Sequence, residues 1–310
     1  MPFNKSKKTN TWGKTPVAKK PVIGAVPTAA FNWFPGHMMK AMREIQAKVQ
    51  MVDIVIEIRD ARIPIVSGNQ TLTSTMAGKT RLILLNKANL ADPVMNERWH
   101  DWFEKEGVPF LFINVLDKSA MKQVLTKCRG LIEKKRRESN EDIKAKGKYK
   151  LMIIGLPNTG KSTFINSVAE KNAVKVADKP GQTQHNLWVK VDEEMDLLDT
   201  PGIMPPMIER DEHKLWLSLI NAIPAAIVGE EDPACYLVNY FLKNETPEFL
   251  TRYKLENTQM TLDEALEKIA AVRGCLKQKG VPDLERVFKL ILMDFRAGEL
   301  GKISFGAPPV

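Results

Sequence analysis

From residue 38 onward the chain alternates between helical periodicity and short, wholly apolar runs. Met38, Met42, Ile45, Val49 and Val52 recur at spacings of three to four, which places them on one face of a helix. A strand follows over Val52–Ile58 and leads into Arg59-Asp60-Ala61-Arg62-Ile63-Pro64. Leu82–Leu85 and Phe110–Ile113 read as buried strands, with a helix over 93–106 between them and another, basic at its end, over 118–137. Residues 138–148 are polar, charged and aperiodic, and read as a connector. A strand at Leu151–Ile154, a helix at Lys161–Glu170 and strands at Leu187–Val191 and Met195–Leu198 come next. Buried strands alternating with helices predict an α/β fold, a parallel sheet covered by helices on both faces.

Beyond Gly202 the pattern is helical only. Asp232-Pro233 reads as a cap with proline at the first helical position. Thr261-Leu262-Asp263-Glu264 reads as a capping box, and Gly274 as the stop of that helix. Pro282–Arg296 is a final amphipathic helix. The chain therefore divides into a tail, residues 1–31, an α/β domain, 32–203, and a small all-helical C-terminal domain, 204–310.

Charge adds a direction to this plan. The net charge is +9, and residues 1–50 hold nine Lys/Arg against one acid, whereas 204–310 hold 13 against 16. A basic arm of this kind attracts a polyanion such as RNA, or serves as a solubilising tail. The tail has no apolar core for secretion, and Pro16, Pro21 and Pro27 oppose the amphipathic helix of a mitochondrial presequence, which favours the cytoplasm. The longest apolar stretch, Leu219–Val228, is interrupted by Asn221 and Pro224 and is too short for a membrane span. Cys128, Cys235 and Cys275 form no CxxC pair and fit burial in a reducing compartment.

The chemistry is carried by Gly155-Leu156-Pro157-Asn158-Thr159-Gly160-Lys161-Ser162, which matches GxxxxGKS/T between a strand and a helix. Backbone N–H groups of such a loop cradle phosphates, Lys161 reaches the β- and γ-phosphates, and the Ser162 hydroxyl ligates Mg²⁺. Asp199-Thr200-Pro201-Gly202 ends a later strand, where Asp199 can hold the Mg²⁺ shell and the Gly202 N–H can meet the γ-phosphate. Thr183, in Pro180-Gly181-Gln182-Thr183, could cap the metal in the triphosphate state. Asn86-Lys87-Ala88-Asn89 follows a buried strand where N-K-x-D would read guanine, and Asn114-Val115 marks a second base-contacting loop. These base-reading motifs precede the phosphate-reading ones, a permuted order that an open parallel sheet tolerates, with 138–148 as the joint.

This order resembles the YlqF/RbgA family of circularly permuted GTPases. The resemblance rests on Phe34-Pro-Gly-His-Met38, Asp60-Ala-Arg-Ile-Pro64, Gly155 to Thr163, Pro180-Gly-Gln-Thr183, Asp199-Thr-Pro-Gly-Ile203 and Asp294-Phe-Arg-Ala-Gly298 with Leu300-Gly301, and it spans residues 32 to about 305. It implies a P-loop GTPase fold and a cytoplasmic or organellar, Mg²⁺-dependent GTPase acting late in maturation of the large ribosomal subunit; we expect a monomer. It also implies a helical C-terminal domain that contacts ribosomal RNA of the precursor. Ile203 stands where many GTPases place a water-orienting glutamine, so hydrolysis needs another group. The resemblance points to His37 and to a K⁺ ion held by Asn158; each residue also has a purely local reading, as a loop pin or a bond within the P-loop.

The departure is Asn89. A carboxylate there would accept from the guanine N1–H and 2-amino group; a neutral amide bonds more weakly and presents a donor of its own. Asp92, three residues on, is a candidate for compensation at the wrong spacing. Two rival readings follow: an RNA-binding, nucleotide-sensing scaffold with weakened guanine selectivity, and a P-loop enzyme of ATP or xanthosine nucleotides. The Pro205-Pro206 pair stiffens the junction from Gly202 to the helical domain, which ties γ-phosphate sensing to RNA binding.

Overall fold

The computed structural model describes residues 36–76, 78–139, 147–169, 188–208 and 210–309 of the chain. The tail, most of the connector and the Pro180–Thr183 segment lie outside the described residues.

The first helix, α1, spans Gly36–Lys48 and ends in a short 3-10 turn, so β1 begins at Ile54 rather than Val52 and runs to Asp60. After α2 (Gln70–Thr75) come β2 (Thr80–Asn86), α3 (Pro93–Lys105), β3 (Phe110–Phe112) and α4 (Lys118–Glu138). The second run is β4 (Tyr149–Gly155), α5 (Lys161–Val168), β5 (Trp188–Lys190) and β6 (Met195–Leu198). The sheet order is β3-β2-β1-β4-β6-β5. All pairings are parallel except one: β5 lies antiparallel to β6, so the expectation of a wholly parallel sheet is corrected at that edge. The four residues between these strands allow a tight return but no crossover helix, and a parallel pairing needs a crossover.

The sequence order explains where a ligand can sit. The chain winds outward from β1 through β2 to β3, then returns to lay β4 on the other side of β1. Open α/β sheets bind ligands outside the strand carboxyl ends where the winding reverses. Here that point lies between Asp60 of β1 and Gly155 of β4.

Strand alternation sends side chains to two cores. Ile54, Ile56 and Ile58 pack with Val124, Cys128 and Phe164 of α4 and α5, while Val55 turns to the opposite face. That opposite face, with Met152, Ile154 and Leu198, packs α1 and the C-terminal helices in one continuous cluster.

Those helices are α6 (Asp211–Leu219), α7 (Ala225–Val228), α8 (Glu231–Lys243), α9 (Pro247–Tyr253), α10 (Leu262–Val272) and α11 (Leu284–Ala297). The capping box at Thr261 is present, and Gly274 stops α10 with φ 64°. Asp232 is not a cap: α8 starts at Glu231, which leaves Asp232 and Pro233 inside the first turn. Proline is tolerated there because the first-turn N–H groups have no intrahelical acceptor. After α11 the chain returns to the α/β part, where Ile303 N–H donates to Leu90 O at 3.1 Å and Phe305 N–H to Arg62 O at 2.8 Å. Among the described residues, no helix is long and apolar enough to cross a membrane.

Candidate nucleotide-binding site

The loop from Gly155 to Ser162 joins β4 to α5 against the end of β1. A Cβ at Gly155 would run into the Ile58 carbonyl oxygen, so only glycine lets the two strands close here. At Gly160, φ is 107° and a Cβ would strike the Asn86 amide. Thr159 is buried and its hydroxyl donates to Leu156 O at 2.9 Å, which stiffens the loop. Ser162 and Thr163 are exposed in the first turn of α5.

Asn86, at the end of β2, joins three elements. Its Nδ2 donates to Thr159 O at 2.8 Å, and its Oδ1 accepts from Val115 N at 3.0 Å. Lys87 sits in the left-handed region at φ 61°, which few non-glycine residues adopt. That turn delivers its Nζ to Asn158 O at 2.8 Å and to the Asp60 carboxylate at 3.0 Å. The Asn86–Asn89 and Gly155–Ser162 motifs are thus bonded to each other across 71 and 73 residues of sequence.

Asn89 is exposed in the short turn Ala88–Leu90, where Ala88 O accepts from the Asn96 side chain at 3.1 Å. It opens on a cavity of about 550 Å³ lined also by Thr246, Glu248, Gly298 and Lys302. Asp92 does not compensate for it: its carboxylate caps α3, accepting from Val94 N at 2.8 Å. Asn114 Oδ1 accepts from Leu116 N at 3.1 Å, closing the loop after β3.

The Lys161 ammonium donates to the carbonyls of Gly155 (3.2 Å) and Leu156 (2.9 Å). Burial pushes its amine down to about 8, with Asp199 pulling the other way. Burial likewise raises the Asp199 carboxyl above its ordinary value, opposed by Lys161 and the Thr200 N–H. A desolvated carboxylate is one that a cation would stabilise in its charged form. Among the described residues no three His, Cys, Asp or Glu gather as a metal cage. One carboxylate and one hydroxyl beside a phosphate loop suit Mg²⁺, which is held by few protein oxygens plus substrate phosphates. A Cβ on Gly202 would come within 3.0 Å of Lys161 Nζ and Pro157 N, so the Asp199–Gly202 turn lies directly on the P-loop.

Of two further predicted residues, one is not described and one is described in part. Thr183 lies outside the described residues, and of His37 only the backbone, in the first turn of α1, is described. Asn158 is exposed, with φ 59°, and its Nδ2 donates to Asn221 O at 2.5 Å beyond α6. Ile203 has no exposed surface; its N–H donates to Gly155 O at 3.3 Å and its carbonyl accepts from Asn69 Nδ2 at 3.1 Å. It is a core residue and cannot orient a water.

Asn69 and the Asp60–Arg62 pair had no assigned role in the sequence. Arg62 Nε and Nη2 reach the two Asp60 oxygens at 2.9 and 2.8 Å, and the guanidinium lies 4.8 Å from the Phe295 ring of α11. Arg62 stands two residues after Asp60, and that spacing on a turn was the available signal.

Residues 150–272 match the family model described as 50S ribosome-binding GTPase. The chain is 38% identical over 281 residues to ribosome biogenesis GTPase A of Bacillus pumilus, covering 89% of this chain and 98% of that one. The chain belongs to the ribosome biogenesis GTPase A family. It is also 33% identical over 294 residues to mitochondrial ribosome-associated GTPase 1 of Ictalurus punctatus, covering 88% and 91% of the two chains. The GDP-bound structure of YlqF from T. maritima superposes with a TM-score of 0.61 at 27% identity, covering 86% of this chain and 99% of that one. Members of the ribosome biogenesis GTPase A family are GTPases of ribosome maturation, and GTP is this chain's substrate. The permuted P-loop GTPase fold is that of YlqF.

Proposed function

We propose that this GTPase acts in the cytoplasm, as a monomer, on a precursor of the large ribosomal subunit, and that its nucleotide state controls how tightly it holds the particle. The observation that carries the reading is Ile203. This residue directly follows the Asp199–Gly202 turn, is wholly buried, and packs in the same core as α6, α8 and α11. A shift in the γ-phosphate-sensing turn must therefore be felt by residues 204–310, the region we assign to ribosomal RNA contact. Co-sedimentation with precursor particles tests it. Tighter binding with a non-hydrolysable GTP analogue than with GDP is expected; equal binding refutes the control.

Within the site, the N–H groups of Asn158–Thr163 would bind phosphate, Lys161 would bridge the outer phosphates, and Ser162, Asp199 and Thr183 would hold Mg²⁺, with Gly202 at the γ-phosphate. Asn86, Lys87, Ala88, Asn89, Asn114 and Val115 receive the base. Mg²⁺ supplies charge neutralisation for the transferred phosphoryl group. Ile203 is buried, and the family resemblance assigns the water-orienting role to His37. His37→Ala should then cut particle-stimulated hydrolysis about 10²–10⁴-fold and spare nucleotide affinity.

A bound K⁺ is the second assistant we infer. Nδ2 of Asn158 is engaged by Asn221, which orients the amide and leaves Oδ1 as its cation-ligating atom. Hydrolysis rates in K⁺ and Na⁺ test this, and equal rates remove the cation from the mechanism. The rival reading, a scaffold of weakened guanine selectivity, draws on the exposed, neutral Asn89 and predicts similar affinity for GDP and IDP.

A further inference from the structure

The segment after α11 touches the base-reading loop on the C-terminal side of Asn89. Leu90 O accepts from Ile303 N at 3.1 Å, and the Asp92 N–H donates to the Ser304 hydroxyl at 3.1 Å. Gly298, with φ 83°, lies so close that an added Cβ would come within 2.7 Å of Leu90 Cδ2. On the other side, Ala88 N–H donates to Ile113 O at 3.0 Å. The turn carrying Asn89 is thus suspended between the sheet and a segment from the far end of the chain.

That segment is not loosely laid. Leu300, Ile303 and Phe305 are buried, and the Phe305 ring stacks on Trp216 of α6 at 5.8 Å and meets Tyr240 of α8 at 5.2 Å. Its backbone is also bonded to Arg62 O, next to the ion pair with Asp60 that Lys87 shares. These contacts join α6, α8 and α11 to the loop from Lys87 to Asp92. A neutral amide at position 89 makes this consequential: its discrimination depends on aiming one acceptor oxygen, where a carboxylate offers two equivalent ones.

We propose that Gly298, Ile303 and Ser304 are positioning residues for base selection, forming a strap that holds Asn89 in the orientation that distinguishes guanine. The proposal rests on the reading that the Asn86–Asn89 loop receives the base. It adds that the helical region sets how strictly that base is read.

The test uses the full chain and three ligands: GDP, IDP, which lacks the 2-amino group, and tripolyphosphate, which lacks the base. The quantity read is the ratio of IDP to GDP dissociation constants in the wild type, Asn89→Ala, Gly298→Ala and Ser304→Ala. Ser304→Ala removes one hydroxyl and keeps the buried anchors, so it guards against a Gly298→Ala protein that folds poorly. The ratio should fall in both strap variants by on the order of two- to tenfold, the size of one lost hydrogen bond, with tripolyphosphate affinity unchanged. A wild-type ratio near one, with Asn89→Ala silent, overturns the base-loop reading itself. A ratio that falls in Asn89→Ala and stays at the wild-type value in both strap variants overturns the strap alone. Equal weakening of all three ligands overturns it too, since a merely structural contact would act on every ligand alike.

Discussion

The side-chain amide of Asn69 donates to the backbone carbonyl of Ile203 at 3.1 Å, across 134 residues of sequence. The same side chain caps α2, its Oδ1 accepting from Leu72 N at 3.1 Å. One buried amide therefore fixes the residue that follows the Asp199–Gly202 turn to an element beside the end of β1.

Asn69→Ala should lose the cap, worth about 1 kcal/mol, and strand a buried carbonyl, worth about 1–3 kcal/mol. Asn69→Asp keeps the cap acceptor and loses the donor, so it isolates the Ile203 link. Urea midpoints should fall in both. The particle-affinity ratio between GTP-analogue and GDP forms, expected within about 5–150-fold, should shrink in both. A ratio unchanged in Asn69→Asp means that the turn is coupled to the helices by another route.

Lys161 yields a pH prediction. Its amine sits at about 8 in the unliganded fold against an ordinary 10.5. The unfolded chain thus holds more protons between those values, so Lys161 costs stability below pH 8 and the cost fades as pH rises through that window. Bound phosphates favour the ammonium, so GDP binding should take up a proton above pH 8 and weaken by up to about tenfold per pH unit. Calorimetric titration near pH 7 and near pH 9, in two buffers of different ionisation heat, reads the uptake directly. Lys161→Arg, charged throughout, supplies the reference; matching pH profiles for the two proteins would contradict the assignment.

The Asp60–Arg62–Lys87 group is the buried charge cluster next to the site. Burial raises the Asp60 carboxyl, but Arg62 and then Lys87 outweigh it and hold the group far below the usual carboxylate range. A depressed folded value means its stabilisation is complete above the unfolded value of about 4 and is lost as pH falls below that. Asp60→Asn should cost about 3–5 kcal/mol at neutral pH by leaving the buried Arg62 guanidinium without its carboxylate. The difference from wild type should stay flat from neutrality down to about pH 5 and narrow in stronger acid. Denaturant titrations across pH check this; a difference that stays flat into strong acid would show that Asp60 titrates normally.

Restoring the acid at position 89 probes base recognition directly. Asn89→Asp should tighten GDP by on the order of 1–3 kcal/mol and widen the gap to IDP and ADP. Fluorescent-nucleotide competition measures it. Flat or weakened affinity would place base reading elsewhere in the loop, and Asp92 is not the substitute because it caps α3.

The sequence by itself determined the elements and the motifs. Apolar runs bounded by turn residues located β2, β3 and β4, since strands covered on both faces favour apolar side chains. The P-loop and the Asp199–Gly202 turn were legible because phosphate binding demands fixed residue types at fixed spacing, and their permuted order was visible as simple order. What required the tertiary structure were relations between distant segments. The β5–β6 pairing is antiparallel because a four-residue return excludes a crossover, and Asp232 falls inside α8 because the helix begins at Glu231, two residues before the expected Pro233. Asn69 on Ile203, Asn158 on Asn221 and the strap on the Leu90 loop join residues whose partners no local pattern names. Hydrophobic periodicity records which face is buried and says nothing of what covers it; the covering is decided when the whole chain finds the arrangement that pairs its buried polar groups.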